Sequence, residues 1–146
     1  MAGVVIGLAR RAKSHAPMEA LESALISRAA GVDGDSRGKA QRRQVTILFA
    51  QDWKDATREA GADLPWTARR ANVLVTGLAN PRRPGGLLQI GAARIRILGE
   101  TEPCTRMDAA LAGLQAALAP DWRGGVLGRV EVDGHVQLGD ASLWLE

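Results

Sequence analysis

Short aliphatic runs cut apart by glycine-bearing turns constrain this chain more than any other feature. Residues 4–8, 44–50, 73–77 and 126–132 each carry the β-branched or aromatic content of a strand. Residues 93–98 alternate Ile95 and Ile97 with Arg94 and Arg96, the period of a strand with one wet face. Asp133-Gly134 between 126–132 and 136–138 predicts a hairpin, and Leu143 and Leu145 share one face of a last strand. The stretch from Gly31 to Gly38 holds three glycines in eight residues and reads as a turn or loop, as does the Pro- and Arg-rich stretch 80–86.

Helical signals are fewer. Asp52 predicts an N-cap for a helix over 53–60 that stops at Gly61. Leu111, Leu114 and Leu118 give helical spacing to 107–118, with Pro120 beyond its end. Residues after Pro17 fit either a short helix sharing Met18, Leu21 and Leu25 on one face or a strand over 24–29. Residues 89–97 and 137–145 share one pattern (Gln, aliphatic, Gly, any, Ala, any, aliphatic, any, aliphatic), which predicts two similar turns each feeding an alternating strand. The reading is one domain over 1–146, mainly β with peripheral helices, an α+β barrel-like fold. Strands and helices do not alternate regularly, which disfavours a doubly wound nucleotide fold.

Composition excludes several classes of function. With four Trp, one Phe and no Tyr, the chain lacks the stacking surface of a single-strand nucleic-acid binder. No apolar run reaches the roughly 18–20 residues of a membrane span, and residues 1–8 lack the flanks of a signal peptide, so a cytoplasmic protein is expected. One cysteine and two histidines make a poor metal cage. Of nineteen basic residues only Lys13, Lys39 and Lys54 are Lys, and Arg is the side chain suited to phosphate and carboxylate.

Cys104 is the first candidate for chemistry. It follows Pro103, precedes an expected helix and has Arg106 two residues on, a setting that favours the thiolate that ligates metals or carries sulfur. The glycine-rich loop with Asp35, followed by Lys39, Arg42 and Arg43, is a candidate anion cradle, although it matches neither nucleotide-loop pattern. In Arg69-Arg70-Ala71-Asn72, Arg70 and Asn72 are spaced to point the same way, one to an anion and one to a heterocycle edge. No Gly-x-Ser-x-Gly or His-Glu-x-x-His motif occurs.

Taken in order, a set of short motifs resembles the MOSC domain family, named for the C-terminal part of molybdenum-cofactor sulfurases. They are Gly31-Val32-Asp33-Gly34-Asp35, Arg43-Gln44-Val45-Thr46-Ile47, Arg70-Ala71-Asn72-Val73-Leu74 with Gly77-Leu78, Gly91-Ala92-Ala93, Pro103-Cys104, Arg123-Gly124-Gly125-Val126 and Gly139-Asp140. Ala71 stands where many relatives carry Glu or Pro, and Ser36 where His or Arg is common.

The resemblance implies a MOSC-type β-barrel that binds the pterin-based molybdenum cofactor (molybdopterin) or handles sulfur bound for a metallocluster. It also implies Cys104 as the molybdenum ligand and catalytic residue, with Arg70 and Asn72 at the cofactor; Arg43, Lys39 and Asp35 join them as candidate cofactor contacts. Three functions follow. The first is an oxidoreductase of N-hydroxylated compounds served by a separate electron donor. The second is a sulfur carrier loaded by a cysteine desulfurase through a Cys104 persulfide. The third is a non-catalytic binding module in which Cys104 is merely buried.

Overall fold

The computed structural model describes residues 2–39 and 42–146. Eleven strands and three short helices follow one another as β1 Gly3–Arg10, β2 Glu19–Leu21, β3 Ser23–Ser27, β4 Gly31–Val32, β5 Val45–Phe49, α1 Ala50–Ala60, β6 Val73–Thr76, β7 Leu87–Ile90, β8 Ala93–Glu100, α2 Thr105–Ala110, α3 Leu114–Leu118, β9 Val126–Val132, β10 Gly134–Gln137 and β11 Ala141–Trp144. Seven strands close into a barrel in the order β11-β7-β8-β9-β5-β6-β1, with β1 returning to β11 through Gly3↔Ser142 and Val4↔Ala141. Only β5 and β6 run parallel, as the 23 residues between Phe49 and Val73 permit, because α1 lies in their crossover. A side sheet of β10, β3 and β4 flanks the barrel.

The period of two in β5 and β6 divides the interior. Val45, Ile47, Phe49, Val73 and Val75 face the barrel lumen with Leu8, Ile90, Ile95 and Ile97. Leu48 and Leu74 point outward and would be wet without a second layer. Trp53 and Ala56 of α1, Met107 of α2 and Leu114 and Leu118 of α3 supply it. Each Leu so covered contributes about 1.5–3 kcal/mol of burial, and β5 is accordingly buried at every position while β8 alternates over its first half.

One open alternative is resolved and three sequence expectations are corrected. No helix follows Pro17, and of the two alternatives the strand is observed: residues 19–21 pair with β1, and residues 23–27 pair with both β10 and β4 as the middle strand of the side sheet. Asp52 is not the N-cap, because β5 runs straight into α1 with Phe49 at the cap and Asp52 in the first turn. Residues 107–118 are not one helix; Gly113, at φ 86°, separates α2 from α3. Residues 126–138 do not form a hairpin: β9 pairs with β8 and β5, β10 pairs with β3, and the chain changes sheet at Asp133-Gly134, where Asp133 accepts the Arg28 N–H. The repeated pattern does make two turns, with Gly91 at φ 55° and Gly139 at φ 93°, feeding β8 and β11; the first closes the β7–β8 hairpin and the second carries the chain from the side sheet into the barrel.

Candidate functional site

The segments after β1 and β8 and those leading into β5 and β6 meet at a cleft of about 150 Å³. Six arginines line it (Arg11, Arg37, Arg43, Arg69, Arg70 and Arg106) against the carboxylates of Asp35 and Glu102. Met18, Met107, Thr46 and Asn72 complete the wall, and Cys104 lies in it, exposed.

Each cation is placed by a local device. A 3-10 turn, Trp66–Arg69, ends with Arg70 in the left-handed region at φ 68°, a conformation that costs a non-glycine residue about 1 kcal/mol or more. That reversal lets neighbouring arginines both reach the cleft. Arg69 is buried and donates from Nη2 to Thr101 O (2.7 Å) and from Nε to Gly124 O (3.0 Å). Arg70 donates to Ala16 O at 2.8 Å, and Arg106 meets His15 Nδ1 at 2.7 Å, so two cleft arginines hold the β1–β2 loop across its edge. Asp35 accepts the N–H groups of Arg11 (2.9 Å) and Arg37 (3.2 Å) and thereby fixes the backbone from which both side chains leave.

Crowding leaves the cations short of counter-charge. Burial, then repulsion from Arg43, pulls Arg69 down to about 10, with the Cys104 sulfur acting in the opposite sense. Burial also pulls Arg43 down, followed by Arg37, again opposed by Cys104. Arg11 is lowered by desolvation and then by Arg70 and Arg37, against which Asp35 works. Buried Nε atoms of Arg43 and Arg70 have no hydrogen-bond partner among the described residues, and such groups are costly unless a ligand or water completes them.

Of the residues singled out from sequence, Cys104, Arg43, Arg70, Asn72 and Asp35 come together here. Lys39 does not; it lines a separate groove with Arg28, Gln44 and Arg129. Asn72 is in the wall, but its amide is already engaged. Its Oδ1 accepts from Thr46 N (3.0 Å) and Thr46 Oγ1 (3.1 Å), and its Nδ2 donates to Ala9 O (3.2 Å). The glycine-rich loop offers no bare cradle at 33, 35, 36, 37 or 38, whose N–H groups bond to Leu25 O, Val32 O, Arg11 O, Asp35 Oδ2 and Asp35 O. Sequence reasoning missed Arg11, Arg37 and Arg69. Their only signal was the excess of Arg over Lys, which marks no position.

The MOSC domain family model matches residues 33–142. The chain belongs to the MOSC domain family. Among solved structures, YuaD from Bacillus subtilis superposes with a TM-score of 0.80 at 17% identity, covering 97% of this chain and 94% of that one. YiiM from Geobacillus stearothermophilus gives 0.69 at 12% identity, covering 99% of this chain and 73% of that one. YiiM from Escherichia coli gives 0.70 at 15% identity, with 100% and 70% covered. These likenesses bear out the mainly β MOSC barrel. No curated protein sequence matches the chain significantly. Among the described residues, no helix is long and apolar enough to cross a membrane, and no three His, Cys, Asp or Glu side chains cluster as a metal site.

Proposed function

We propose that this MOSC protein binds the pterin-based molybdenum cofactor in the arginine cleft, with Cys104 as the protein's ligand to the metal. The observation that carries the reading is the meeting of one exposed thiol with six arginines, two of them bearing buried, unpartnered Nε atoms. That donor set fits the group: a soft sulfur for molybdenum and guanidinium forks for a phosphate. Pockets that engulf a whole ligand enclose about 300–1,000 Å³; at about 150 Å³ this cleft takes a charged end and leaves the rest across its open mouth.

Arg43 and Arg70, which line the cleft, would hold the anionic group with their guanidinium donors. Arg11 and Arg37, held by Asp35, add positive potential. Thr46 and Asn72 stiffen the wall behind them. Bound molybdenum would supply two-electron chemistry, including reduction of nitrogen–oxygen bonds in N-hydroxylated compounds, given electrons from a partner protein. The expected location is the cytoplasm, where a lone thiol stays reduced.

Elemental analysis of protein made in a cofactor-producing host tests the reading, wild type beside Cys104→Ala. Near-stoichiometric molybdenum in the wild type and its loss in the variant are expected; no molybdenum in either would overturn it.

The exposure of Cys104 favours a second reading over a purely structural cysteine. As a sulfur carrier, Cys104 would attack the outer sulfur of a desulfurase persulfide, releasing the donor's thiol and keeping the sulfur as its own persulfide. A mass increase of one sulfur on Cys104 after incubation with the desulfurase is the expected sign, and an unmodified Cys104 would sink it.

A further inference from the structure

Cys104 sits in a strap, residues 102–106, between two fixed points. At one end Thr101 donates its N–H to Gly125 O at 2.8 Å and gives its carbonyl to Arg69 Nη2 at 2.7 Å. At the other, Met107 is buried, donates its N–H to the Cys104 carbonyl at 2.9 Å, and places Sδ 3.9 Å from Arg69 Nη1. Arg69 therefore touches both ends of the strap. Its Nε reaches Gly124 O on the segment that enters β9. Glycine is required at 124, since a Cβ there would fall 2.5 Å from Thr101 O and 3.0 Å from Arg69 Nη2.

Arg69 has no carboxylate partner among the described residues; carbonyl oxygens meet its donors instead. A buried guanidinium held by neutral acceptors keeps its full charge, and this one lines the same cleft as the thiol. A purely structural staple could be made by a neutral donor. The cation, turned to the cleft, adds something a staple does not need.

We propose that Arg69 is the positioning residue for Cys104, anchoring both ends of its strap and supplying uncompensated positive charge to the cleft that the sulfur faces. This rests on Cys104 being the working group of the cleft, but its test uses cofactor-free protein. A failure to find molybdenum and a failure here are therefore separate results.

The single cysteine makes the test direct. The rate of Cys104 attack is measured on an aromatic disulfide bearing carboxylates and on an uncharged pyridyl disulfide. Both reagents meet the same thiolate, so the ratio of rates reports local charge and cancels changes in general accessibility. Amide exchange over 101–107 reports the strap. In Arg69→Met the ratio should fall about threefold to tenfold, as expected for losing one nearby charge, with faster exchange. Arg69→Lys should hold the ratio within about twofold of wild type, since the charge survives, while exchange still quickens because an ammonium cannot span both carbonyls.

A ratio unchanged in Arg69→Met, or lost equally in Arg69→Lys, would overturn the charge role. Unchanged exchange in both would overturn the anchoring role. If Arg69→Met does not fold, Arg69→Lys decides alone: wild-type exchange across the strap, or a collapsed ratio, refutes the proposal.

Discussion

Replacing Asn72 with Ala separates a wall residue from a ligand contact. The side chain makes three buried hydrogen bonds, two to Thr46 on β5 and one to Ala9 on β1, so one amide ties two strands to the segment entering β6 at the cleft's back. Each is worth about 1 kcal/mol net, and the Thr46 N–H is left buried without its acceptor, so the loss comes to about 3–4 kcal/mol. Against a usual total of 5–15 kcal/mol that is a large fraction. For a domain of this size it lowers Tm by roughly 10 °C. Urea unfolding of the cofactor-free protein, followed by tryptophan fluorescence, measures it, with the denaturant slope checked for constancy. A loss under about 1 kcal/mol at an unchanged slope would refute the reasoning, because bonds of ordinary strength should cost more. It would return Asn72 to the role its sequence suggested, an amide free for a heterocycle.

Two further outcomes are expected. Arg43→Met should remove molybdenum from protein purified in a cofactor-producing host, while Lys39→Ala should leave it in place, because Lys39 lines a different groove; equal loss in both would place the anion outside the cleft. Burial raises Asp52 above the usual 3.8, against the opposing hydrogen bond from Asn80. The folded state thus holds this proton more tightly than the unfolded chain, and stability from this group falls as pH rises through the window above 3.8. Asp52→Asn should therefore be more urea-resistant than wild type at pH 7, with the gap closing toward pH 4; a gap that widens on acidification would reverse the sign.

The barrel strands were legible because β5, β6, β8 and β9 carry their own patterns, and a strand's period survives whatever it packs against. What failed was partner choice. Asp133-Gly134 has hairpin chemistry, yet β9 was taken by β8 and β5, and Gly134 went to Ile26 across the side sheet. The 17–29 region was ambiguous because strands of three and five residues are too short to show a period. At the site, Cys104, Arg43 and Arg70 were found through local chemistry and the family resemblance. Arg11 and Arg69 were not, because a buried arginine has the same neighbours in sequence as one in solvent. Arg43 and Gln44 are adjacent and serve different grooves, which only the alternation of an entering strand reveals.

β11 covers the free side of β7 and of β1 together, through Ser142↔Ile90 and Gly3↔Ser142. During synthesis β1 therefore leaves the ribosome roughly 140 residues ahead of the strand that completes its edge, and at about 5–20 residues per second that is a wait of roughly 7–28 seconds. Once β7 has also emerged, the nascent chain carries two open edges until β11 arrives, the form most prone to pair with another copy. Ribosomal stalling before codon 141 should accordingly yield aggregates, whereas release a few residues later lets the same chain seal itself.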